Sequence, residues 1–313
     1  MFDGTDNPTS KSTTAASASA KPRVYELGSL FGDLEKDATL RYEAKRDGNR
    51  LGPITALNGL DERLGGAWMP GLHIVHGSPG VGKTAFALQI AATCECPALF
   101  VTCEMPPLEL LRRLMARKTS TFLGKYKSGE LSPDTVLSHV RQAADAAQRM
   151  FLMDATQAPA TSGDIQMGAT TARQSAPENP HLLIVVDSLH SWADAVSSGG
   201  VDEYERIGQA CATLRQVAAA LTCPVIAIAE RNRSSMGKGG QNSGAGSRKI
   251  EYGAETVIGL NATTTDDEGC PVYDARGETE VKAVFGKNRH GGTGKPVSLM
   301  FHAACQSYRE LPT

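Results

Sequence analysis

Residues 77–84 read Gly77-Ser78-Pro79-Gly80-Val81-Gly82-Lys83-Thr84 and satisfy every fixed position of G-x-x-x-x-G-K-[ST]. Such a run has a mechanical meaning only where it joins a strand to a helix. The apolar residues 72–76 before it and the periodic residues 83–92 after it supply that setting. Glycines let the loop curl until successive N–H groups face one point, and the start of the helix adds partial positive charge there. The expected occupant is a phosphate chain, with Lys83 reaching its β and γ groups and the Thr84 hydroxyl ligating Mg²⁺. A chain built around this loop must contain at least one strand–loop–helix unit of a parallel sheet.

The rest of the chain repeats that alternation. Apolar runs at 98–102, 151–153, 181–186 and 224–228 read as strands, and residues 107–118, 133–150, 162–173 and 203–221 carry helical spacing. Alternation of this kind predicts a mostly parallel sheet flanked by helices, an α/β fold. After Glu255 only strands are expected, at 256–260, 272–273, 279–285 and 296–301, extending the sheet as antiparallel hairpins. At 313 residues the chain has room for one or two domains. Residues 1–23 are Ser/Thr/Ala-rich, with too little apolar surface to offset ordering, and are expected to be a disordered tail. Residues 24–50 are expected to form an arm: Val24, Leu27, Leu30, Phe31 and Leu34 recur at helical spacing before charges take over. The arm packs either on its own domain or on a neighbouring subunit. Residues 51–313 make up the main domain.

Composition excludes several classes. The 7 cysteines are odd in number and include no CxxC, so they read as reduced thiols of a cytoplasmic protein, not as disulfides or a zinc site. No run approaches the roughly 18 apolar residues of a membrane span, and no apolar segment near the start suggests a secretory signal. The net charge of −2 excludes a polycation. It conceals an asymmetry, however. Residues 231–250 hold Arg231, Arg233, Lys238, Arg248 and Lys249 with no acid, a local +5 that leaves −7 on the other 293 residues. With five glycines and no apolar period, this stretch reads as a long basic loop, either a solvated surface insertion or a contact for a nucleic-acid backbone.

Two carboxylates are expected beside the phosphate loop. Asp187 ends the apolar run 182–186, where it can hold the water shell of Mg²⁺ next to Thr84. Glu104 follows the strand at 98–102, and the carboxyl ends of parallel strands converge on one edge. There it either orients and deprotonates an attacking water or serves as a first-turn acid of the next helix. Farther on, 286–294 reads as a glycine turn that projects Lys287 and Arg289 to one side. It is either an exposed hairpin tip or a pair of cations for phosphate, supplied in trans.

These residues together resemble the RecA-like ATPase domain of DnaB-type replicative helicases, over residues 24 to 310. Leu60-Asp61 with Leu64-Gly65-Gly66, Thr102-Cys103-Glu104-Met105 and Lys287-Asn288-Arg289-His290-Gly291-Gly292-Thr293-Gly294 carry the likeness. The resemblance implies a RecA-like P-loop NTPase core, ATP and Mg²⁺, and hydrolysis with Glu104 as the catalytic acid–base. It also implies a homohexameric ring with ATP between subunits, the Lys287 and Arg289 of a neighbour at the γ-phosphate, and single-stranded DNA in the channel. The residue 24–47 helix becomes the inter-subunit arm, and primase or a helicase loader are the further partners the family offers. Three departures stand out. Glu230 occupies the place of the family's γ-phosphate-sensing Gln. Residues 245–251 lack the family's DNA-contacting Arg and Gly, so Arg248 or Lys249 would substitute. No helical N-terminal collar domain precedes the arm. A RecA/RadA-like recombinase filament and a KaiC- or loader-like ATPase switch are the competing expectations.

Overall fold

The computed structural model describes residues 24–197, 200–230 and 253–312. The expected tail at 1–23 and the basic stretch with Arg231, Arg233, Lys238, Arg248 and Lys249 lie outside the described residues. The chain divides into two units, before and after Asn49–Arg50. In the first, a 3₁₀ turn at Leu27–Leu30 leads into α1 (Phe31–Asp47), which closes on Gly48 in the left-handed region, φ 71°. Gly is suited to that conformation because it carries no Cβ. The helix starts later than 24, since residues 24–26 are not helical, and Leu27, Phe31 and Leu34 are all exposed.

The second unit runs in order α2 (Asn58–Arg63), β1 (Gly71–Gly77), α3 (Lys83–Thr93), β2 (Ala98–Thr102), α4 (Pro107–Lys118) and α5 (Lys125–Ser128). Then come α6 (Pro133–Gln148), β3 (Met150–Asp154), α7 (Ser162–Gln174), β4 (Leu183–Asp187), α8 (Leu189–Val196), α9 (Glu203–Leu221) and β5 (Pro224–Glu230). Four strands finish it: β6 (Thr256–Ala262), β7 (Glu278–Asn288), β8 (Val297–His302) and β9 (Ser307–Glu310). They form one nine-stranded sheet, ordered β3-β2-β4-β5-β1-β6-β7-β8-β9. The first six in that order are parallel and the last three antiparallel, as the sequence predicts.

Strand alternation builds two cores. Val75, Phe100, Val185 and Ile228 pack with α3 and α4 on one face, whereas Ile74, Val101, Val186 and Ala227 pack with α7, α8 and α9 on the other. Coverage on both faces is why β4 reads as an unbroken apolar run without a polar side. Caps mark several helix starts. Thr161 and Asp164 exchange side-chain and backbone bonds at α7, and Asp202 accepts from Glu205 N–H at α9.

Two expectations fail near the carboxyl end. Residues 272–273 are not a strand. The Asp266 carboxylate accepts from the N–H groups of Glu268 and Cys270, turning the chain, and Pro271 has no N–H to give a ladder. Nor does the glycine turn begin at 286, because β7 continues through Asn288, paired with β6 across a bulge at Val257/Ile258. Helix α8 and strand β9, neither expected from the sequence, complete the unit.

His73 on β1 is buried, and burial pushes its imidazole down to about 4. Its Nε2–H donates to Met69 O at 2.7 Å, and its ring meets Trp68 edge-on. Above pH 6.5 the ring is neutral folded or unfolded and adds no pH dependence. Below that, the unfolded chain takes up a proton that the fold refuses until about pH 4. Stability therefore falls with pH across that window, by about 3 kcal/mol from this one group. His73→Gln keeps a donor for Met69 and cannot titrate. Its urea midpoint is expected to drop less than the wild type's between pH 7 and pH 4.5; equal drops would remove His73 from the acid sensitivity.

Candidate active site

The carboxyl ends of β1, β2, β4 and β5 are brought level by their register, with Thr102 opposite Asp187 and Gly77 opposite Glu230. At this edge lies an open cavity of about 320 Å³ whose lining includes Lys83, Thr84, Glu104, Asp187 and Glu230. Five side chains expected to act together thus share one space.

The loop between β1 and α3 wraps a point in front of the helix. Gly80 and Gly82 have φ near 82° and 87°, and a Cβ on Gly82 would lie 2.5 Å from the Phe301 ring. Glycine is required there by conformation and by space together. Ser78, Pro79 and Val81 complete the curl, with Val81 N–H donating to Ser78 O. Lys83 folds back across the loop, its Nζ donating to Gly77 O at 3.0 Å and Ser78 O at 3.2 Å. Burial lowers its pKa, against the opposing pull of Glu230, Asp187 and Glu104.

Asp187 is nearly sealed from solvent, and burial raises its carboxyl to about 6, while a hydrogen bond with the Thr84 side chain works the other way. A hydroxyl and a carboxylate joined in this way are hard oxygen donors of the kind that Mg²⁺ takes. Glu104 stands on the turn after β2, shaped by Thr102, whose hydroxyl donates to Met105 O and accepts from Met105 N–H. Its Oε1 accepts from Ser188 at 2.5 Å and from Ser191 at 2.6 Å. Two donors on one oxygen hold the carboxylate in a single orientation, the arrangement a general base needs.

The antiparallel strands and the segment between β6 and β7 brace the loop. Tyr308 OH donates to Val81 O, and Tyr273 OH donates to Gly80 O at 2.6 Å. Phe301 stacks on Tyr308 with centroids 4.7 Å apart, and Tyr308 meets Phe86 of α3 edge-on. The Gln89 amide bonds both the N–H and the C=O of Tyr308, fastening β9 to α3. Phe301→Ala is expected to cost about 3–5 kcal/mol of unfolding free energy, read from urea melts. A loss below 1 kcal/mol would mean the brace is not needed to hold the loop.

Sequence reasoning missed these aromatics and also Arg113. From α4, Arg113 lines the cavity, donates to Gln306 Oε1 at 2.5 Å and to Glu109 Oε1 at 3.3 Å, and its charge reaches Asp187. The Arg112-Arg113 pair was visible as two cations. Which of them faces the cavity depends on helix phase and on Gln306, a contact 193 residues away.

Lys287 and Arg289 are not at this cavity within one chain. Asn288 pairs with Thr256 at the start of β6, whereas Gly77 is level with Leu260. That places Asn288 about 13 Å back along the strand direction, towards the opposite end of the sheet. There Arg289 Nη1 meets Glu255 Oε1 at 2.9 Å, and His290 Nε2 lies 3.3 Å from the other oxygen of the same carboxylate.

With this geometry in place, comparison with known proteins is informative. The family model for the DnaB-like helicase C-terminal domain matches residues 52–310. The replicative DNA helicase DnaB of Treponema pallidum (strain Nichols) is 25% identical over 283 residues, 89% of this chain and 60% of that protein. Its counterpart from Nostoc sp. (strain PCC 7120 / SAG 25.82 / UTEX 2576) is 31% identical over 181 residues, 56% of this chain and 20% of that protein. The chain thus spans 60% or less of the length of these curated relatives. Among solved structures, one described as an ATPase domain superposes with a TM-score of 0.72 at 22% identity, covering 92% of this chain and all of that one. A DnaB-like replicative helicase, described with its interactions with primase, gives 0.70 at 20% identity, covering 93% and 68%. The fold is therefore that of RecA-like helicase ATPase domains, a mostly parallel sheet with antiparallel strands at its carboxyl-terminal side.

Proposed function

Since the chain belongs to the DnaB-like helicase C-terminal domain family, we propose that it is an ATP-hydrolysing, ring-forming DNA helicase that translocates on single-stranded DNA during replication. The observation that carries this reading is the convergence of Lys83, Thr84, Asp187 and Glu104 in one cavity at the start of α3. The loop 77–82 cradles the phosphates through its N–H groups, and Lys83 swings from its carbonyl partners to the β- and γ-phosphates. Thr84 and Asp187 would hold Mg²⁺, which would offset the phosphate charge. Glu104, kept in place by Ser188 and Ser191, orients the attacking water and takes its proton. Arg113 adds a cation near the same carboxylates. Hydrolysis is completed by Lys287 and Arg289 of a neighbouring copy, because within one chain they lie far from the cavity.

That requirement makes the functional unit a ring of copies, a homohexamer, with nucleotide between subunits. Residues 24–50 are its docking arm, 1–23 a tail and 51–313 the motor domain. Arg231, Arg233, Lys238, Arg248 and Lys249 supply the positive charge for the single strand, and a primase or helicase loader is the further partner. The protein works in the cytoplasm with the replicating DNA. Among the described residues, no helix is long and apolar enough to cross a membrane.

The test is hydrolysis with and without oligo-dT, unwinding of a tailed fork, and electron microscopy with an ATP analogue. DNA-stimulated turnover, unwinding and closed rings are expected. Filaments would indicate a recombinase, and turnover indifferent to DNA would indicate an ATPase switch. Neutralising Arg248 and Lys249 together is expected to weaken oligo-dT binding and flatten its salt dependence. An unchanged slope would take them out of the DNA path.

A further inference from the structure

The cavity holds three carboxylates against the cations Lys83 and Arg113. Two of the three have defined tasks. Asp187 is buried against Thr84, and Glu104 is held by Ser188 and Ser191. Glu230 differs in kind. It is the last residue of β5, it is exposed, and its register partner Gly77 is the first residue of the phosphate loop. Of the three acids it acts most strongly on Lys83. The ammonium a terminal phosphate would use therefore shares its cavity with a carboxylate from the strand beside β1.

A nucleoside diphosphate and a triphosphate differ by one phosphate group, and that group lies at the Lys83 side of the site. An anion near Lys83 opposes the triphosphate more than the diphosphate, because repulsion between like charges rises as their separation falls. We propose that Glu230 is a specificity-determining residue of the nucleotide site, one that biases an isolated protomer towards nucleoside diphosphate by penalising the terminal phosphate. The inference rests on the nucleotide reading above and adds a consequence for assembly. With Glu230 in place, the terminal phosphate is accommodated only when further positive charge arrives, and Lys287 and Arg289 of a neighbouring copy carry it. Triphosphate occupancy is thereby tied to a completed interface.

The test is equilibrium binding of a fluorescent ADP and a fluorescent non-hydrolysable ATP analogue to the full chain, in excess Mg²⁺ and at concentrations where it is monomeric. Wild type is expected to favour the diphosphate. Glu230→Gln is expected to improve the triphosphate analogue about tenfold relative to ADP, the scale of removing one charge at short range in a partly solvated site. Since an amide could also donate to the phosphate, Glu230→Met removes the charge without adding a donor and is expected to shift the ratio in the same direction. An unchanged ratio in both variants, with ADP still bound, overturns the proposal. A shift in the Gln variant alone overturns the charge argument. If wild type binds neither nucleotide, the nucleotide reading itself fails, and this inference falls with it.

Discussion

Lys83→Ala is expected to abolish nucleotide hydrolysis, with turnover reduced about 10³-fold or more, below ordinary detection. The ammonium is the one cation inside the loop, and it bonds Gly77 O and Ser78 O, the carbonyls that frame the phosphate position. Without it, the developing charge on the terminal phosphate would face Asp187, Glu104 and Glu230 with one cation fewer to offset them. Folding is expected to survive, because burial already disfavours the Lys83 charge and its removal relieves that cost. Turnover by radiolabelled or coupled assay, with circular dichroism as a fold control, settles the point. Persistent turnover would mean the phosphate site is elsewhere.

Arg289→Ala is expected to lower turnover about 10³-fold while largely sparing nucleotide binding. Among the described residues the Arg289 side chain pairs with Glu255, a half-exposed contact worth at most about 1 kcal/mol. A large catalytic loss would therefore not be a folding effect. The decisive experiment mixes the two inactive variants. Copies with Lys83→Ala retain Arg289, and copies with Arg289→Ala retain Lys83. Where they meet, one interface in the mixed ring has both groups, so activity is expected to return on mixing. No recovery, or normal turnover by Arg289→Ala alone, would sink the trans arrangement.

Much of the active site was legible because its parts are local. The loop 77–84 needs only its own glycines and the elements on either side. Asp187 and Glu104 were placed by a rule about where parallel strands end, and the register of Thr102 opposite Asp187 bears that out. Other parts were hidden because they rest on contacts far apart in sequence. Tyr273, Phe301 and Tyr308 reach the loop from some two hundred residues on, and nothing near them announces a phosphate site. Arg113 could not be separated from Arg112 without knowing which side of α4 faces Gln306. The segment 272–273 looked like a strand because Val and Tyr favour one. Asp266 and Pro271 turn the chain instead, and the Tyr273 hydroxyl is used on Gly80.

By itself the sequence determined the strand–loop–helix unit, the mostly parallel order of a layered sheet, and the two carboxylates at strand ends. These follow from short-range conformational preference and from burial patterns that a linear reading can carry. Only the tertiary structure decided which strand lies beside β1, and so the register that sets Glu230 opposite Gly77. It alone showed that Lys287 and Arg289 lie towards the opposite end of the sheet from the cavity they were expected to serve. Strand order and register depend on pairings between distant segments, and a shift of one strand moves a charge by several ångströms. The loop at 77–84 reads as a phosphate cradle in the sequence; the sheet around it decides which charges stand beside it.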